Sequence, residues 1–264
     1  MKQPKKSRTY VYIDGFNLYY SIRRSGCKWL DLRALAVNTL PADLDIHTIK
    51  YFTARVSGAT DPDQPRRQQI YLNAITTIPG IKVFFGSFLP KNQMRPLVNV
   101  PIAERNIRIG AGMSIPAGNY VVDPLPSDNR AHTLPIGNFR HRKIGDKVDT
   151  PLADAVMADT YTMEEKGSDV NLAVHLVNDA WKKRFDVAVV ISRDTDLVEP
   201  IRIVTKELGK KVCVVSPSDS QVPTPLRNVA TFTRIVNRHI LKTSVFPDQV
   251  KRSNGTIIDK PVEW

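Results

Sequence analysis

Aspartates follow two aliphatic runs of this chain, where strands are expected to end. Asp14 follows TYVYI and precedes a glycine, and Asp194 and Asp196 follow VVIS. Each alone fits a structural role: Asp14 can close a tight turn, and Asp194 or Asp196 can cap the next helix. Together, carboxylates are the oxygen ligands that Mg²⁺ and Mn²⁺ prefer. The pattern therefore predicts helix caps, a divalent-metal site, or both.

Asp169 is a further candidate for such a site. On a helix predicted over 168–183 it shares a face with Leu172 and Leu176, which is the face that packs on a sheet. A lone buried carboxylate is costly unless it is paired or binds a metal. The alternative is that Asp169 competes with Ser168 to cap this helix.

Three other polar residues in the region are alternative or additional candidates for metal ligands. Asp149 is a rival, but Pro151 interrupts any helix there, so Asp169 is preferred. Asp179 is a candidate outer ligand from a nearby helix face. His175 is expected to be a solvated helix residue and not a ligand.

The elements that must position these residues alternate between strands and helices. Strands are predicted over 9–14, 49–56, 81–89, 156–163, 186–192 and 210–216, the last clear one, and helices over 15–26, 31–40, 65–78, 168–183 and 196–208. Such alternation predicts an α/β fold with a mostly parallel sheet covered on both faces. Ligands of these sheets bind at the carboxyl ends of the strands, so the aspartates can meet there.

Composition limits the partners. The chain has 264 residues, 42% of them hydrophobic and 24% charged, as in a soluble globular protein, and its net charge is +12. The positive excess favours a polyanion such as nucleic acid. No apolar run is long enough for a membrane helix, so we expect a cytoplasmic protein with no membrane partner. Two cysteines are too few for a disulfide framework.

The sequence also suggests how the chain is divided. Residues 1–8 read as a basic arm, 9–245 as a single domain, and 246–264 as a C-terminal tail. Within the domain, about 90–150 is rich in proline and polar turns, which favours an inserted hairpin or loop region.

Three segments carry a family resemblance: YIDGFNLY, EKGSDVNLA, and VVISRDTDLVEPI followed by LGKKV. In this order they resemble the NYN domain of the PIN-like nuclease group, including the bacterial DUF88/LabA-like proteins. The resemblance implies a PIN-like, Rossmann-like three-layer sandwich and a metal-dependent ribonuclease site. By motif position it implies Asp14, Asn17, Asp169, Asp194 and Asp196 as catalytic residues.

The functional hypothesis is a metal-dependent endoribonuclease that acts on single-stranded or loop RNA. The four aspartates would hold Mg²⁺ or Mn²⁺ and the attacking water, and Asn17 would orient a carboxylate or a phosphate. The alternative is a catalytically silent RNA-binding or regulatory module. A dehalogenase-like phosphatase fits poorly, because Phe16 stands where its second aspartate is expected. Family members often pair, so a homodimer is possible.

Basic residues give candidate RNA contacts. Arg193 stands where many relatives have a small or amide residue, and it either contacts phosphate or points outward. Arg140, Arg142 and Lys143 interleave with Phe139 and His141 in a predicted loop, which could hold RNA by charge and stacking. The alternative is an exposed loop with incidental charge.

Overall fold

The computed structural model describes residues 6–58, 61–96, 119–122, 132–135, 139–143 and 154–264. The chain forms two compact units, one of Met1–Phe88 with Glu165–Trp264 and one of Leu89–Glu164. The strands are β1 (Ser7–Asp14), β2 (Leu44–Ala54), β3 (Ile81–Pro96), β4 (Asn119–Val122), β5 (His132–Pro135), β6 (Phe139–Lys143), β7 (Asp154–Lys166), β8 (Val187–Ile191), β9 (Lys211–Ser216), β10 (Phe232–Ile235), β11 (Gln249–Lys251) and β12 (Ile257–Asp259).

Helices connect the strands. They are α1 (Gly15–Ile22), α2 (Leu32–Thr39), α3 (Gln64–Ile75), α4 (Ser168–Trp181), α5 (Val198–Arg202), α6 (Thr224–Val229) and α7 (Arg238–Thr243). A 3-10 turn at Thr195–Leu197 leads into α5, and a π-helical turn at Ile203–Glu207 follows it. The single helix predicted over 196–208 therefore consists of a 3-10 turn, a short α-helix and a π-helical turn in succession.

The first unit is built on a parallel sheet. Its strands lie in the order β10-β9-β8-β1-β2-β3, and every neighbouring pair is parallel. Strands β2 and β3 lie on one side of β1, and β8, β9 and β10, which come later in the sequence, lie on the other side. The strand order therefore reverses between β1 and β8, which is where parallel α/β sheets form ligand crevices.

Alternate residues of the central strands supply two separate cores. Val11 and Ile13 point into a cluster with residues of α1, α2, α3 and α7, whereas Tyr12 points into a cluster with α4, α5 and α6. This is the period-two pattern of a strand buried on both faces. The mixed α/β, three-layer fold that the sequence predicted is confirmed.

The last residues join the first of these cores. Val250 of β11 and Ile258 of β12 belong to it, and the Trp264 ring lies 6.3 Å from the ring of Trp29. A domain boundary at residue 245 stays a prediction.

The second unit contains antiparallel pairs. β4 pairs with β5, and β6 pairs with the first half of β7, with Arg140 opposite Met157. Arg140, Arg142 and Lys143 thus lie in strand β6, so their placement in a loop was wrong. Side chains of 92–163 are outside the described residues, as is Asp149. The RNA-binding role of these residues stays a prediction, as does an insertion over 90–150.

Asp179 of α4 is fully buried and paired inside the first unit. It accepts hydrogen bonds from Lys50 Nζ, from the Tyr12 hydroxyl at 2.7 Å and from Arg184 Nη1 at 3.0 Å. Burial would raise the pKa of Asp179, but the bonds from Lys50 and Tyr12 outweigh it and hold that pKa below its usual range. Its role as an outer metal ligand was wrong, because three donors already satisfy the carboxylate.

His175 is half-buried and packed against neighbouring side chains, so it is less solvated than the sequence-based expectation. Its ring lies 4.1 Å from the Phe84 ring, and its Nδ1 lies 3.2 Å from Lys50 Nζ. Burial, helped by the Lys50 charge, lowers the pKa of His175, so the imidazole stays neutral near neutral pH.

Lys50→Ala should lower the free energy of unfolding by about 3–5 kcal/mol, because it leaves the Asp179 charge buried with one partner fewer. Urea denaturation would measure the loss. Lys82→Ala, which removes an exposed lysine of neighbouring β3, should change stability by no more than about 0.5 kcal/mol. Equal stability of the two variants would contradict this account of the buried pair.

Candidate metal centre

The turn after β1 fixes Asp14 at the carboxyl edge of the sheet. Asp14 is buried, its Oδ1 accepts the Asn17 backbone N–H at 2.9 Å, and its Oδ2 accepts the Ser192 hydroxyl at 2.9 Å. The next residue must be glycine, since a Cβ on Gly15 would lie 2.6 Å from the Phe52 carbonyl oxygen. Asp14 therefore caps α1 and joins the ends of β1 and β8.

The turn after β8 presents Asp194 beside Asp14. Asp194 Oδ1 accepts the Asp196 backbone N–H at 3.0 Å, which caps the following 3-10 turn. The Arg193 backbone N–H donates to Asn17 Oδ1 at 3.1 Å, so Asn17 ties this turn to α1. The sequence left open whether Asp194 or Asp196 caps the next helix. The structure shows that Asp194 is the cap and that it also faces the crevice.

The first turn of α4 brings in Asp169. The helix follows Gly167, whose φ of 91° is a left-handed conformation that glycine adopts without strain. Glu165, just before it, accepts the Ser168 backbone N–H at 3.0 Å. Gly86 of β3 lies so close that a Cβ there would be 2.6 Å from a Glu165 carboxylate oxygen. These contacts set the start of α4 and with it the position of Asp169.

Asp14, Asp169 and Asp194 converge, and each offers a carboxylate oxygen within 4.8 Å of the others. We call these residues the acidic triad. Asp14 is buried and the other two are half-buried. Desolvation, together with the charges of Asp14 and Asp194, raises the pKa of Asp169 from its usual 3.8 to about 6. Desolvation also raises the pKa of Asp14, against the hydrogen bonds from Asn17 and Ser192.

The acidic triad lines a pocket of about 450 Å³, and two polar groups in that pocket lack hydrogen-bond partners within the described part of the chain. Ser168 is 2% exposed, and its hydroxyl makes no hydrogen bond to any described residue. The buried Nε of Arg193 likewise has no partner among the described residues. Buried polar groups are usually satisfied, so these two groups fit a site completed by a bound ligand. Three carboxylates beside an unsatisfied hydroxyl form an oxygen donor set suited to a hard divalent cation.

The structure brings together most of the residues that the sequence selected. Asp14, Asn17, Asp169, Arg193 and Asp194 all line the pocket. Asp196 is exposed and lies outside the acidic triad, although its charge contributes to the raised pKa of Asp169.

Sequence reasoning missed several residues of the pocket. Glu165, Ser168 and Tyr20 line it, and Ser192 supports Asp14 from behind. Glu165 and Ser168 belong to the EKGSD segment that pointed to Asp169, so their closeness to Asp169 in sequence could have predicted them as pocket residues. Tyr20 is one helical turn after Phe16, but only the fold shows that this face of α1 meets the pocket.

Residues 118–237 match the family model of the NYN domain. The resemblance read from the three motifs is confirmed over this range, which includes Asp169 and Asp194. Asp14 and Asn17 precede the matched range. They lie beside its residues in the structure because β1 pairs with β8.

Two individual proteins are also similar to this chain. One is the 6-hydroxy-3-succinoylpyridine 3-monooxygenase of Pseudomonas putida, 26% identical over 280 residues that cover 97% of this chain and 75% of that protein. The other is a crystal structure of a protein of unknown function from Vibrio parahaemolyticus, 15% identical, with a TM-score of 0.44 and coverage of 89% of this chain and 96% of that one.

The NYN match and the acidic triad both fit a nuclease that uses a divalent metal. NYN domains have the PIN-like fold typical of nucleases, and the triad provides ligands for a divalent metal. Among the described residues, every helix is too short or too polar to cross a bilayer.

Without metal, the wild-type protein should lose stability as the pH rises through about 6, because the pKa of Asp169 is raised from 3.8 to that value on folding. A raised pKa stabilises the fold below the unfolded value and ceases to do so above the folded value. Thermal unfolding in a chelator should therefore show a melting temperature that falls over this window, and Mg²⁺ or Mn²⁺ should restore it above the window.

Asp169→Asn should flatten the pH dependence and remove the metal effect, whereas Asp63→Asn, at an exposed site, should behave like wild type. Identical pH and metal responses of Asp169→Asn and wild type would contradict this assignment.

Proposed function

We propose that this protein is a divalent-metal-dependent endoribonuclease that hydrolyses phosphodiester bonds of single-stranded or loop RNA. The observation that carries the proposal is the acidic triad, with oxygens within 4.8 Å of one another at the edge of the sheet where the strand order reverses. The NYN match supports a nuclease, and the net charge of +12 suits a polyanionic substrate.

Asp14, Asp169 and Asp194 would hold the cation, which we propose is Mg²⁺ or Mn²⁺. When bound, such a cation stabilises the charge of a phosphodiester undergoing displacement and helps to activate water. The raised pKa values of Asp14 and Asp169 fit this assignment: burial raises both, the neighbouring carboxylates add to the rise, and a bound cation would offset both effects.

The remaining pocket residues position the reactants. Asn17 fixes the 192–194 turn against α1 and so sets the separation between Asp14 and Asp194. The Arg193 side chain lies half-buried in the pocket, and its Nε has no partner among the residues that the structure describes, so a substrate phosphate would satisfy it. Asp196 would add negative charge at the rim. RNA contacts of Arg140, Arg142 and Lys143, a homodimer and a cytoplasmic location stay predictions from the sequence.

The name of the Pseudomonas putida relative raises oxygenation of a pyridine as a competing activity. The ligands in the pocket favour hydrolysis: three carboxylates converge, and no histidine lines the pocket among the described residues. Non-haem iron oxygenases typically bind their metal with two histidines and one carboxylate. We therefore propose for this chain the nuclease activity of the NYN family and not the oxygenation named for that relative.

Asp194→Asn should reduce metal-dependent cleavage of a single-stranded RNA by at least about 100-fold, since loss of even an outer partner of a metal ligand typically costs about 10- to 100-fold. Asparagine still caps a helix, so the fold should be retained. The measurement is initial cleavage rate in Mg²⁺ or Mn²⁺, with circular dichroism to check folding.

Asp196→Asn is the matched control, because it removes a carboxylate of the same turn that lies outside the acidic triad. Asp196→Asn should reduce the cleavage rate far less than Asp194→Asn does. Full activity of Asp194→Asn would exclude the proposed site, and metal-independent binding without cleavage by the wild type would favour the silent RNA-binding module.

Arg193→Ala should weaken RNA binding and reduce the slope of log affinity against log salt by about 0.7, the contribution of one phosphate contact to a single strand. Lys206→Ala, which removes an exposed cation from the turn after α5 and away from the residues that line the pocket, should leave the slope unchanged. Fluorescence anisotropy titrations at several salt concentrations would measure both. An unchanged slope for Arg193→Ala would place its side chain outside the phosphate path.

A further inference from the structure

An aromatic surface extends along α1 from the acidic triad. Phe16 and Tyr20 are four residues apart and so share a helix face, and their rings lie 6.4 Å apart at an interplanar angle of 29°. Tyr20 is 60% exposed, so one part of its ring is open to a ligand. Both residues line the pocket that contains the acidic triad.

Neighbouring rings fix the orientation of this surface. Phe88 meets Phe16 edge-on at 5.5 Å, and Tyr19 meets Tyr20 edge-on at 5.6 Å. Edge-to-face packing of this kind is a favourable aromatic geometry. The exposed ring of Tyr20 is therefore preorganised, which lowers the entropic cost of stacking a ligand on it.

A cation accompanies the aromatic surface. The Arg23 guanidinium carbon lies 5.4 Å from the centroid of the Tyr20 ring. Guanidinium groups and aromatic rings are the two kinds of side chain on which unpaired RNA bases stack. Tyr20 lies six positions after Asp14, which corresponds to about 9 Å along a helix axis. A nucleotide neighbouring a phosphate at the acidic triad can thus place its base near Tyr20.

We propose that Tyr20, supported by Phe16 and Arg23, is a stacking subsite for an unpaired nucleobase adjacent to the scissile phosphate. This proposal rests on the proposed ribonuclease function and specifies its substrate. A base inside a duplex has both faces covered by its neighbours, so the subsite selects single-stranded or loop RNA. Because every base has a π-face, it imposes little base preference. Arg23 and the net charge of +12 favour a polyanion over an apolar protein segment as the occupant.

The test measures RNA binding separately from cleavage. A fluorescent oligouridine is titrated in EDTA against wild type, Tyr20→Ala and Tyr20→Phe. Tyr20→Ala should bind about 5- to 100-fold more weakly, as expected for loss of one base–aromatic stack, and Tyr20→Phe should bind like wild type. Trp181→Ala is the matched control, because it removes a 72% exposed ring at the other end of α4 from Asp169. It should bind like wild type.

A second series uses oligouridines with one abasic nucleotide at successive positions. Wild type should lose affinity at one position next to its cleavage site, and Tyr20→Ala should be insensitive to that same position. A merely structural effect of Tyr20→Ala would weaken every oligonucleotide equally, which would overturn the subsite.

The outcomes separate the two proposals. If wild type binds and cleaves RNA and Tyr20→Ala matches it, the stacking subsite is overturned and the ribonuclease stands. If Tyr20→Ala loses the base-dependent affinity but wild type does not cleave, the subsite is supported and the cleavage activity is overturned. If wild type does not bind RNA, or binds only an aromatic small molecule such as a pyridine there, both proposals are overturned.

Discussion

Desolvation and mutual repulsion of three carboxylates are the physical constraint on which the site in the first unit depends. Asp14, Asp169 and Asp194 place oxygens within 4.8 Å of one another at a partly buried edge of the sheet. Like charges at such distances are costly where water is partly excluded. The fold holds them there through neutral contacts: the Asn17 backbone N–H and the Ser192 hydroxyl donate to Asp14, and the Asp196 backbone N–H donates to Asp194. None of these neutral contacts cancels the charge, which leaves the cluster suited to a cation.

A second buried carboxylate shows how the same chain treats a charge with a structural role. Asp179 lies on the same helix as Asp169 and is fully buried, but Lys50, Tyr12 and Arg184 all donate to it. Its pKa is held low, whereas that of Asp169 is raised to about 6. The two aspartates of α4 thus differ in the one property that matters for a metal ligand, which is whether the protein already supplies the counter-charge.

Local patterns in the sequence predicted much of this arrangement, and they were least informative about partners distant in sequence. Aspartates at the ends of predicted strands, together with the strand–helix alternation, were enough to expect Asp14 and Asp194 at one edge. The same reasoning grouped Asp179 with the ligands, because helical spacing does not show that Lys50 lies opposite it. It also missed β10, whose four residues FTRI are too short to stand out, and it could not decide which of Asp194 and Asp196 caps the following turn, because the two are only two positions apart.

The proposed division of labour in the pocket follows from the same geometry. Carboxylates gather at the ends of β1 and β8 and at the start of α4, Arg193 lies beside them, and the aromatic face of α1 extends outward. Cation, phosphate and base would each meet a side chain of matching chemistry within one continuous pocket. The NYN match covers two of the three triad aspartates, and the third reaches the site because β1 and β8 are neighbours in the sheet.

The central claim is that the acidic triad binds a divalent cation, and anomalous X-ray scattering from crystals soaked in Mn²⁺ tests it most directly. The account predicts a manganese peak within bonding distance of carboxylate oxygens of Asp14, Asp169 and Asp194, and no peak there in Asp194→Asn crystals soaked in the same way. A fully occupied manganese peak elsewhere, with the triad showing none at saturating Mn²⁺, would contradict it.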